Sequence, residues 1–477
     1  MLVCVSTPQN NPMCQRLTRQ ALESLSKEQL IEIVLKQDDR IAELERRLGM
    51  NSQNSSKPPS SDLLGTERPK LPPTGRRPGG QPGHPGHCRR MVPLDRVDKI
   101  VPLKPLRCRH CGASLSGEDR SPLRHQVTEL PPIRPIVTEY QRHRLACPRC
   151  GQSTLAELPP GVDGSPFDER LRAVIAICLG ACHLPQRMTE FLLEMLFNVP
   201  ISLGAVNSTE QFVSDAVAVP VAECLEYVQQ QPVVNADETG WRNRTERRWL
   251  WAGVTKLVTV FLIHTSRGQQ AAQALLGEFK GILGSDRWAA YNFMDPALRQ
   301  LCWAHLKRDF QAFVELGGAA TQIGTGLLHC HKLMFQWWHR VRDRTMSRTE
   351  FHQQMALLSQ QVEQLLDEGT VCGHARTQRT CRNILKLRSA LWTFVHVEGV
   401  EPTNNAAERP IRSAVLWRKV CLGSQSEAGC RFVERMLTVT ATLKQQGRNV
   451  VEYLTEACHA SVHGLPAPSL LPRNTGA

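Results

Sequence analysis

Two Cys-x-x-Cys pairs constrain the fold of this chain more than any other feature of its sequence. Cys108 and Cys111 form one pair, Cys147 and Cys150 form the other, and Cys147 lies 36 positions after Cys111. Each pair places two thiolates on a tight turn, where both can reach one ion at ~2.3 Å, and two such pairs complete a tetrahedral site. We therefore predict one structural Zn²⁺, held by all four cysteines in a zinc ribbon over residues 105–152.

A redox dithiol is the main alternative for these cysteines, but it would need only one pair. The ribbon also carries basic residues, Arg107 and Arg109 among them. They favour a DNA-binding domain, because cations attract backbone phosphates, although a purely structural role is the alternative. Cys302 and His305 could belong to a further zinc site, but the sequence offers no matching pair to complete it.

The cysteine content of the chain indicates in which cellular compartment it folds. The chain has 17 cysteines, an odd number at uneven spacing, which is typical of reduced thiols in a cytosol. Its first residues lack a basic run followed by an apolar stretch, so no secretory signal is predicted. No run of roughly 18 apolar residues predicts a transmembrane helix. We therefore expect a cytoplasmic protein with no membrane partner.

Residues 20–50 have the pattern of a short coiled-coil helix. Val34, Ile41 and Leu48 recur every seven residues, and a second seam is interrupted by the polar Gln37. The pattern predicts self-association into a homodimer or a higher oligomer. The alternative is a solitary amphipathic helix that packs on its own domain.

Residues 51–104 change to a Pro-, Gly- and Ser-rich composition without periodicity, which predicts a linker with little order. The formal net charge of the chain is +13, and residues 56–110 contain twelve Lys/Arg against four Asp/Glu. Most of the excess positive charge therefore lies in or beside this segment. A mobile basic arm suits DNA, because phosphate attraction needs no fixed geometry. A solvated spacer is the alternative.

Beyond the ribbon, the hydrophobic pattern predicts a multidomain α/β protein. Apolar residues at three- and four-residue spacing indicate helices. Short β-branched and aromatic segments follow, and a tight turn near Thr255 and Lys256 indicates a hairpin. The predicted regions are a helical region over 166–230, a mixed α/β core over 231–310 and 395–425, a helical insertion over 311–394, and a C-terminal helical region and tail over 426–477.

Three acidic residues are candidates for metal-dependent chemistry. Asp237 and Asp286 each follow an apolar strand, and Glu408 lies in a helical block. Two divalent cations can activate an attacking oxygen and stabilise a leaving oxygen in phosphodiester chemistry. Mg²⁺ prefers oxygen ligands, so a few carboxylates suffice to hold it. Together these acids predict a site that needs a cation between its repelling charges.

Each acid also has an ordinary explanation. Asp237 could be a turn residue, Asp286 could cap a helix, and Glu408 could pair with Arg412 on a helix surface. The strand and helix contexts of the three acids favour the metal site. Glu238 follows Asp237 directly, and neighbours in a strand point to opposite faces, so both can hardly reach one metal.

The blocks around these acids resemble those of IS66-type bacterial insertion-sequence transposases. In chain order they are NADETGWR, GSDRWAAY, CWAHLKRDF and EPTNNAAERPIRSAVLWRK, after a front end with NSSKPPSSD, GGQPGHPGH and the cysteine pairs. The resemblance covers nearly the whole chain, from about residue 20 to residue 456. It implies a ribonuclease-H-like catalytic domain with a helical insertion. In that domain, Asp237, Asp286 and Glu408 form an Asp-Asp-Glu triad that holds two Mg²⁺ or Mn²⁺ ions.

The same resemblance implies a DNA transposase that cleaves strands at element ends and transfers them into target DNA. Its partners would be terminal repeats, target DNA and accessory proteins of the same element, with the enzyme on the bacterial nucleoid when bound. An inactive DNA-binding relic and a nuclease without strand transfer are the alternatives. The implied DNA contacts near the triad are Asn404, Asn405, Arg409 and Arg412, with Lys307, Arg308, Arg418 and Lys419 as weaker candidates.

One residue near the third acid departs from a regular helix pattern. Pro410 follows Glu408 closely, and proline removes a helix hydrogen bond. We therefore expect this helix to be kinked or to begin after the proline.

Overall fold

The computed structural model describes residues 23, 25–51, 55–57 and 91–472. Within them the chain is a mixed α/β protein with fourteen helices and two sheets. Much of the predicted basic linker, residues 58–90, lies outside the described residues. No helix in the described part of the chain is long and apolar enough to cross a membrane.

The predicted coiled-coil segment forms one helix, α1 (Lys27–Leu48). Its heptad residues face solvent, with Val34 64% exposed and Leu48 83% exposed. Farther along, the Ser56 hydroxyl donates a hydrogen bond of 2.9 Å to the Glu315 carboxylate, and the Ser56 backbone N–H donates to the same carboxylate. The start of the NSSKPPSSD block therefore contacts the main body of the protein.

The ribbon region contains little regular structure apart from two short strands. Strands β1 (Arg144–Ala146) and β2 (Ser153–Leu155) pair antiparallel around the second cysteine pair. An antiparallel bridge between Arg107 and Ser114 flanks the first pair in the same way. Each cysteine pair therefore lies on the turn of a small hairpin.

Four helices fill the predicted helical region: α2 (Glu169–Gly180), α3 (Gln186–Phe197), α4 (Leu203–Ala216) and α5 (Ala218–Gln229). The side chains of Asp168 and Ser202 accept backbone N–H groups at the starts of α2 and α4, as N-caps do. Helix α3 ends at Asn198, which adopts the left-handed conformation common at helix ends.

A five-stranded mixed sheet follows these helices. Its strands lie in the order β5-β4-β3-β6-β7, with β3, β4 and β5 antiparallel and β6 and β7 parallel to β3. Helix α6 (Gln269–Leu276) connects β5 to β6, and the predicted hairpin turn joins β4 to β5. The strands are β3 (Val233–Asn243), β4 (Glu246–Val254), β5 (Thr259–His264), β6 (Ile282–Ser285) and β7 (Arg299–Leu301).

A second hydrophobic core extends from Leu301 to Val400, beyond both ends of the predicted insertion over 311–394. Buried aromatic residues such as Trp303, Phe310 and Phe351 form this core, which is distinct from the core around the sheet. Its helices are α7 (Trp303–Glu315), α8 (Gly318–Arg342), α9 (Arg348–Gly369), α10 (Ala375–Leu385) and α11 (Thr393–His396).

Three further helices, α12 (Asn405–Cys421), α13 (Glu427–Gln445) and α14 (Val450–Val462), return to the sheet. Helix α12 packs on β3 and β4, and α13 covers the edge strand β5. The N–H groups of Thr259 and Phe261 donate to the hydroxyls of Thr442 and Thr438, at 3.1 and 3.0 Å. Thr259 and Phe261 are two residues apart, ~6.6 Å along a strand, and Thr438 and Thr442 are four residues apart, ~6.0 Å along a helix. The two spacings match, so both pairs can form hydrogen bonds at once. The C-terminal helices therefore belong to the core of the sheet.

Candidate active site

The sheet register places Asp237 and Asp286 just beyond the paired residues of β3 and β6. Asp237 lies in the middle of β3, so the prediction that it follows the strand is wrong; β3 continues to Asn243 because it pairs with β4. Strands β3 and β6 run parallel, with Asn235 opposite Gly284. Asp237 and Asp286 each lie two residues beyond that pair. Because side chains alternate between faces with a period of two, both acids continue the same face past the paired residues.

Helix α12 carries Glu408 in its first turn, and Asn404 fixes where that helix begins. The Asn404 side-chain Nδ2 donates to the carbonyl oxygen of Ala236 at 2.8 Å, and its backbone N–H donates to the Cys302 Sγ at 3.2 Å. Ala236 directly precedes Asp237. These two hydrogen bonds therefore hold the start of α12 beside the acid of β3.

The pKa of Asp237 is raised by the charges of the other two acids. Burial raises the pKa of the Asp237 carboxyl well above its usual range, and the charges of Glu238, Asp286 and Glu408 raise it further. A hydrogen bond of 2.9 Å from the Glu238 N–H to the Asp237 Oδ1 acts in the opposite direction. Carboxylates that repel one another favour a divalent cation between them, because carboxylate oxygen is the ligand that Mg²⁺ prefers. Among the described residues, however, Asp237 and Asp286 belong to no group of three potential ligand atoms within 4.8 Å of one another.

Glu238 already has partners of its own. Its carboxylate makes an ion pair of 2.9 Å with Arg267 and accepts a hydrogen bond of 3.0 Å from the Tyr291 hydroxyl. Burial raises the pKa of Glu238, while Arg267 lowers it. The charge of Asp286 also raises the pKa of Glu238. That Asp237 and Glu238 do not both reach one metal stays a prediction.

A second arrangement at Glu408 was not foreseen from the sequence. Ligand atoms of Cys302, His305 and Glu408 all lie within 4.8 Å of one another, and His305 Nδ1 is 3.8 Å from Glu408 Oε1. The buried His305 Nδ1 has no hydrogen-bond partner among the described residues. The sequence suggested Cys302 and His305 as a pair, but it did not show that Glu408 joins them. The group could hold a cation, or His305 could orient Glu408.

Five of the residues predicted to contact DNA lie on the two helices that carry Glu408 and His305. Asn405, Arg409 and Arg412 are exposed on α12, and Lys307 is exposed on α7. Arg308, also on α7, is half-buried. Cationic side chains therefore lie on both helices that approach the three acids.

The start of α12 differs from expectation in two ways. Asn404, a predicted DNA contact, is 1% exposed, and its amide is engaged with β3 rather than facing solvent. The helix begins at Asn405, five residues before Pro410. The expectation that it begins after the proline is wrong, because the contacts of Asn404 set its start upstream.

The two cysteine pairs have the same local geometry. Gly112 donates to the Cys108 carbonyl at 2.9 Å and Gly151 to the Cys147 carbonyl at 2.8 Å. Both glycines have positive φ, 75° and 71°, which glycine adopts without steric cost. Backbone N–H groups within each turn lower the pKa of Cys108 and Cys147. Each turn therefore favours a thiolate.

The structure does not gather the two pairs around one point. Neither group of three potential ligand atoms within 4.8 Å in the described ranges contains a cysteine of the ribbon. The group without Glu408 comprises Glu169 on α2, His459 on α14 and His463 directly after α14. The predicted DNA contacts Arg107 and Arg109 are both exposed beside the first cysteine pair.

Comparison with known proteins gives one family for most of the chain. The transposase IS66 family matches residues 164–431, more than half of the 477 residues. The zinc-finger binding domain of transposase IS66 matches residues 105–151, and a family of unknown function matches residues 9–90. An uncharacterized protein of Sinorhizobium fredii is 27% identical over 423 residues, which cover 80% of this chain and 76% of that protein. The resemblance predicted from the motifs is confirmed.

Proposed function

The chain belongs to the IS66 family of transposases, and we propose that it cleaves DNA at the ends of an insertion sequence and joins those ends to target DNA. One observation carries the proposal: the β3–β6 register and the hydrogen bond from Asn404 to the Ala236 carbonyl bring together the segments that carry Asp237, Asp286 and Glu408. The sheet supports a ribonuclease-H-like core, because three antiparallel strands are followed by two parallel ones.

Strand cleavage and joining concentrate negative charge on the transferred phosphate and on the leaving oxygen. Asp237, Asp286 and Glu408 would hold Mg²⁺ or Mn²⁺, which when bound would stabilise that charge and activate the attacking oxygen. The chain's own part is to fix the three carboxylates through β3, β6 and the contacts of Asn404. Arg409 and Arg412, exposed beside Glu408, are suited to neutralise backbone phosphates.

The front end would recognise the DNA and hold two copies together. The zinc-finger match supports a structural Zn²⁺ at Cys108, Cys111, Cys147 and Cys150. Phosphates attract exposed cations such as Arg107 and Arg109 regardless of sequence. The proposed partners are the terminal repeats, target DNA, a second copy of this chain and accessory proteins of the element.

The proposal is tested by metal-dependent cleavage of DNA that carries the sequences flanking the gene. Asp237→Asn, Asp286→Asn and Glu408→Gln should each abolish cleavage, because each removes a ligand charge while keeping the side-chain shape. Binding of the same DNA should persist, since the basic front end is unchanged. Gel analysis of labelled strands with Mg²⁺ and with EDTA measures both properties.

Glu238→Gln is the matched control, because it changes the adjacent acid, whose contacts are with Arg267 and Tyr291. It should still cleave. Cleavage that survives all three triad changes would refute the assignment of the acids. Cleavage without joined products indicates a nuclease, and binding without any cleavage indicates an inactive relic.

A further inference from the structure

The tip of the β3–β4 hairpin carries an arginine-lined cavity that the proposed chemistry does not use. Its volume is about 440 Å³, and none of its lining residues is acidic. The lining residues are Gly240, Trp241, Arg242, Thr245, Arg247 and Arg418.

Two of these arginines oppose each other directly. Arg242 is the cross-strand partner of Arg247, and like charges in that position destabilise a sheet. Within the described part of the chain, neither makes an ion pair. The neighbouring Arg248, by contrast, pairs with both Glu246 and Glu427 at 2.7 Å. The cavity therefore has positive charge that none of its lining residues neutralises.

Helix α12 supplies the third arginine. Arg418 donates to the carbonyl oxygen of Gly240, and its Nη1 is 3.4 Å from the Thr239 hydroxyl. These contacts hold its guanidinium against β3. Burial lowers the pKa of Arg418, and the charge of Arg242 lowers it further, as expected for cations that share a small volume.

The cavity lies along the same two elements that carry the triad. Five positions of β3 separate Asp237 from Arg242, a span of ~16 Å in an extended strand. The odd spacing places the two side chains on opposite faces of β3, so DNA that reaches both must pass the tip of the hairpin. Ten residues of α12 separate Glu408 from Arg418, a span of ~15 Å in a helix. Strand and helix therefore give the same separation between the acids and the cavity.

We propose that Arg242, Arg247 and Arg418 bind a backbone phosphate of DNA whose scissile bond lies at the triad. The inference rests on the proposed function. DNA carries one phosphate per ~3.4 Å of axis on each strand, so this phosphate lies on the order of five nucleotides from the cleaved bond if the DNA follows β3. Guanidinium groups suit the role, because their planar forks match phosphate oxygens.

The test is DNA affinity measured by fluorescence anisotropy over a range of NaCl concentrations. The probe is a labelled duplex of arbitrary sequence, with Ca²⁺ replacing Mg²⁺. The double variant Arg242→Gln/Arg247→Gln should bind about tenfold more weakly, because charge-assisted contacts are lost. The slope of log affinity against log salt should fall by about one for each lost contact.

Lys256→Gln is the matched control, because Lys256 is an exposed cation beyond the opposite end of β4. It should bind like the wild-type chain. The double variant should unfold at a temperature no lower than the wild type, because it relieves the repulsion between Arg242 and Arg247. Equal salt slopes for the double variant and the wild type would overturn the proposal.

Inorganic phosphate separates DNA from a small anion as the occupant. If phosphate stabilises only the wild-type chain against heat and the DNA slopes are equal, the cavity binds a free anion and the proposal fails. If the double variant binds DNA more weakly but the wild-type chain never cleaves DNA, the phosphate site is supported and the proposed function is refuted. Triad-dependent cleavage with unchanged binding by the double variant refutes this inference alone.

Discussion

The Asp237 carboxyl lies where its own charge is disfavoured, because burial and neighbouring acids raise its pKa. An acid with a raised folded-state pKa lowers stability as the pH rises from its unfolded value through its folded value. We expect Asp237→Asn to stabilise the metal-free protein near neutral pH by about 1 kcal/mol or more. Asn keeps an oxygen that can accept the Glu238 N–H. Thermal unfolding in EDTA measures the effect.

The same variant should lose its response to metal. Mg²⁺ should raise the unfolding temperature of the wild-type chain and leave Asp237→Asn nearly unchanged, because a ligand stabilises only the state that binds it. Glu238→Gln should keep the response to Mg²⁺, because Glu238 contacts Arg267 and Tyr291. A full Mg²⁺ response in Asp237→Asn would remove Asp237 from the metal site.

Some of the residues at the candidate site could be predicted from the sequence, and others could not. Asp237 and Asp286 could be selected because each comes after a short apolar run, which is a local pattern, although Asp237 lies within β3 rather than after it. Asn404 and His305 could not be understood in that way. Asn404 bonds to Ala236, 168 positions earlier, and His305 approaches Glu408 from another helix. Contacts of that kind depend on how α12 packs, and no local pattern specifies them.

At the level of elements, α13 covers the edge of β5 with a buried acid. The N–H of Ile263 donates to the Glu434 carboxylate, which also pairs with Arg431 at 2.8 Å. Burial raises the pKa of Glu434 to about 7, although both of these contacts lower it. In the folded protein this acid therefore keeps its proton to a higher pH than in the unfolded chain.

Glu434→Gln should make stability less sensitive to pH. In the wild type, the contribution of Glu434 falls as the pH rises from the ordinary carboxyl range through about 7. The variant lacks that titration, so its unfolding temperature should decrease less between mildly acidic and mildly alkaline buffers. Glu456→Gln, at an exposed position of α14, should behave like the wild type. Equal pH dependence in Glu434→Gln and the wild type would contradict the assignment.

Helices and strands could be predicted from the sequence more readily than the way they pack against one another. Alternating and helical patterns indicated the hairpin, the helical region and the helical insertion, because each pattern is local. The role of α13 could not be inferred, because the fit of Thr438 and Thr442 to alternate residues of β5 appears only when the strand edge is known.

At the scale of the whole molecule, the chain forms two hydrophobic cores, and the residues of the second lie between two stretches of the first in sequence. One surrounds the central sheet and the other fills the insertion, and each contains several fully buried aromatic residues. Strand β7 bridges them, because the Arg299 carbonyl accepts from Thr393 and the Leu301 side chain packs in the second core. Where the chain leaves the second core, the Asn404 N–H donates to the Cys302 Sγ and the Trp303 N–H donates to the Pro402 carbonyl.

Helix α1 joins neither core, and its heptad seam is exposed, with Ile41 53% and Leu44 43% exposed. Association of two copies through this seam would bury it, so we expect the full chain to be a dimer or larger. Ile41→Asp should dissociate it, because a charge in the seam replaces apolar contact. Leu35→Asp makes the same change at an exposed position outside the seam and should leave the assembly intact. Light scattering after size-exclusion chromatography measures the mass, and equal disruption by both variants would exclude the seam as the contact.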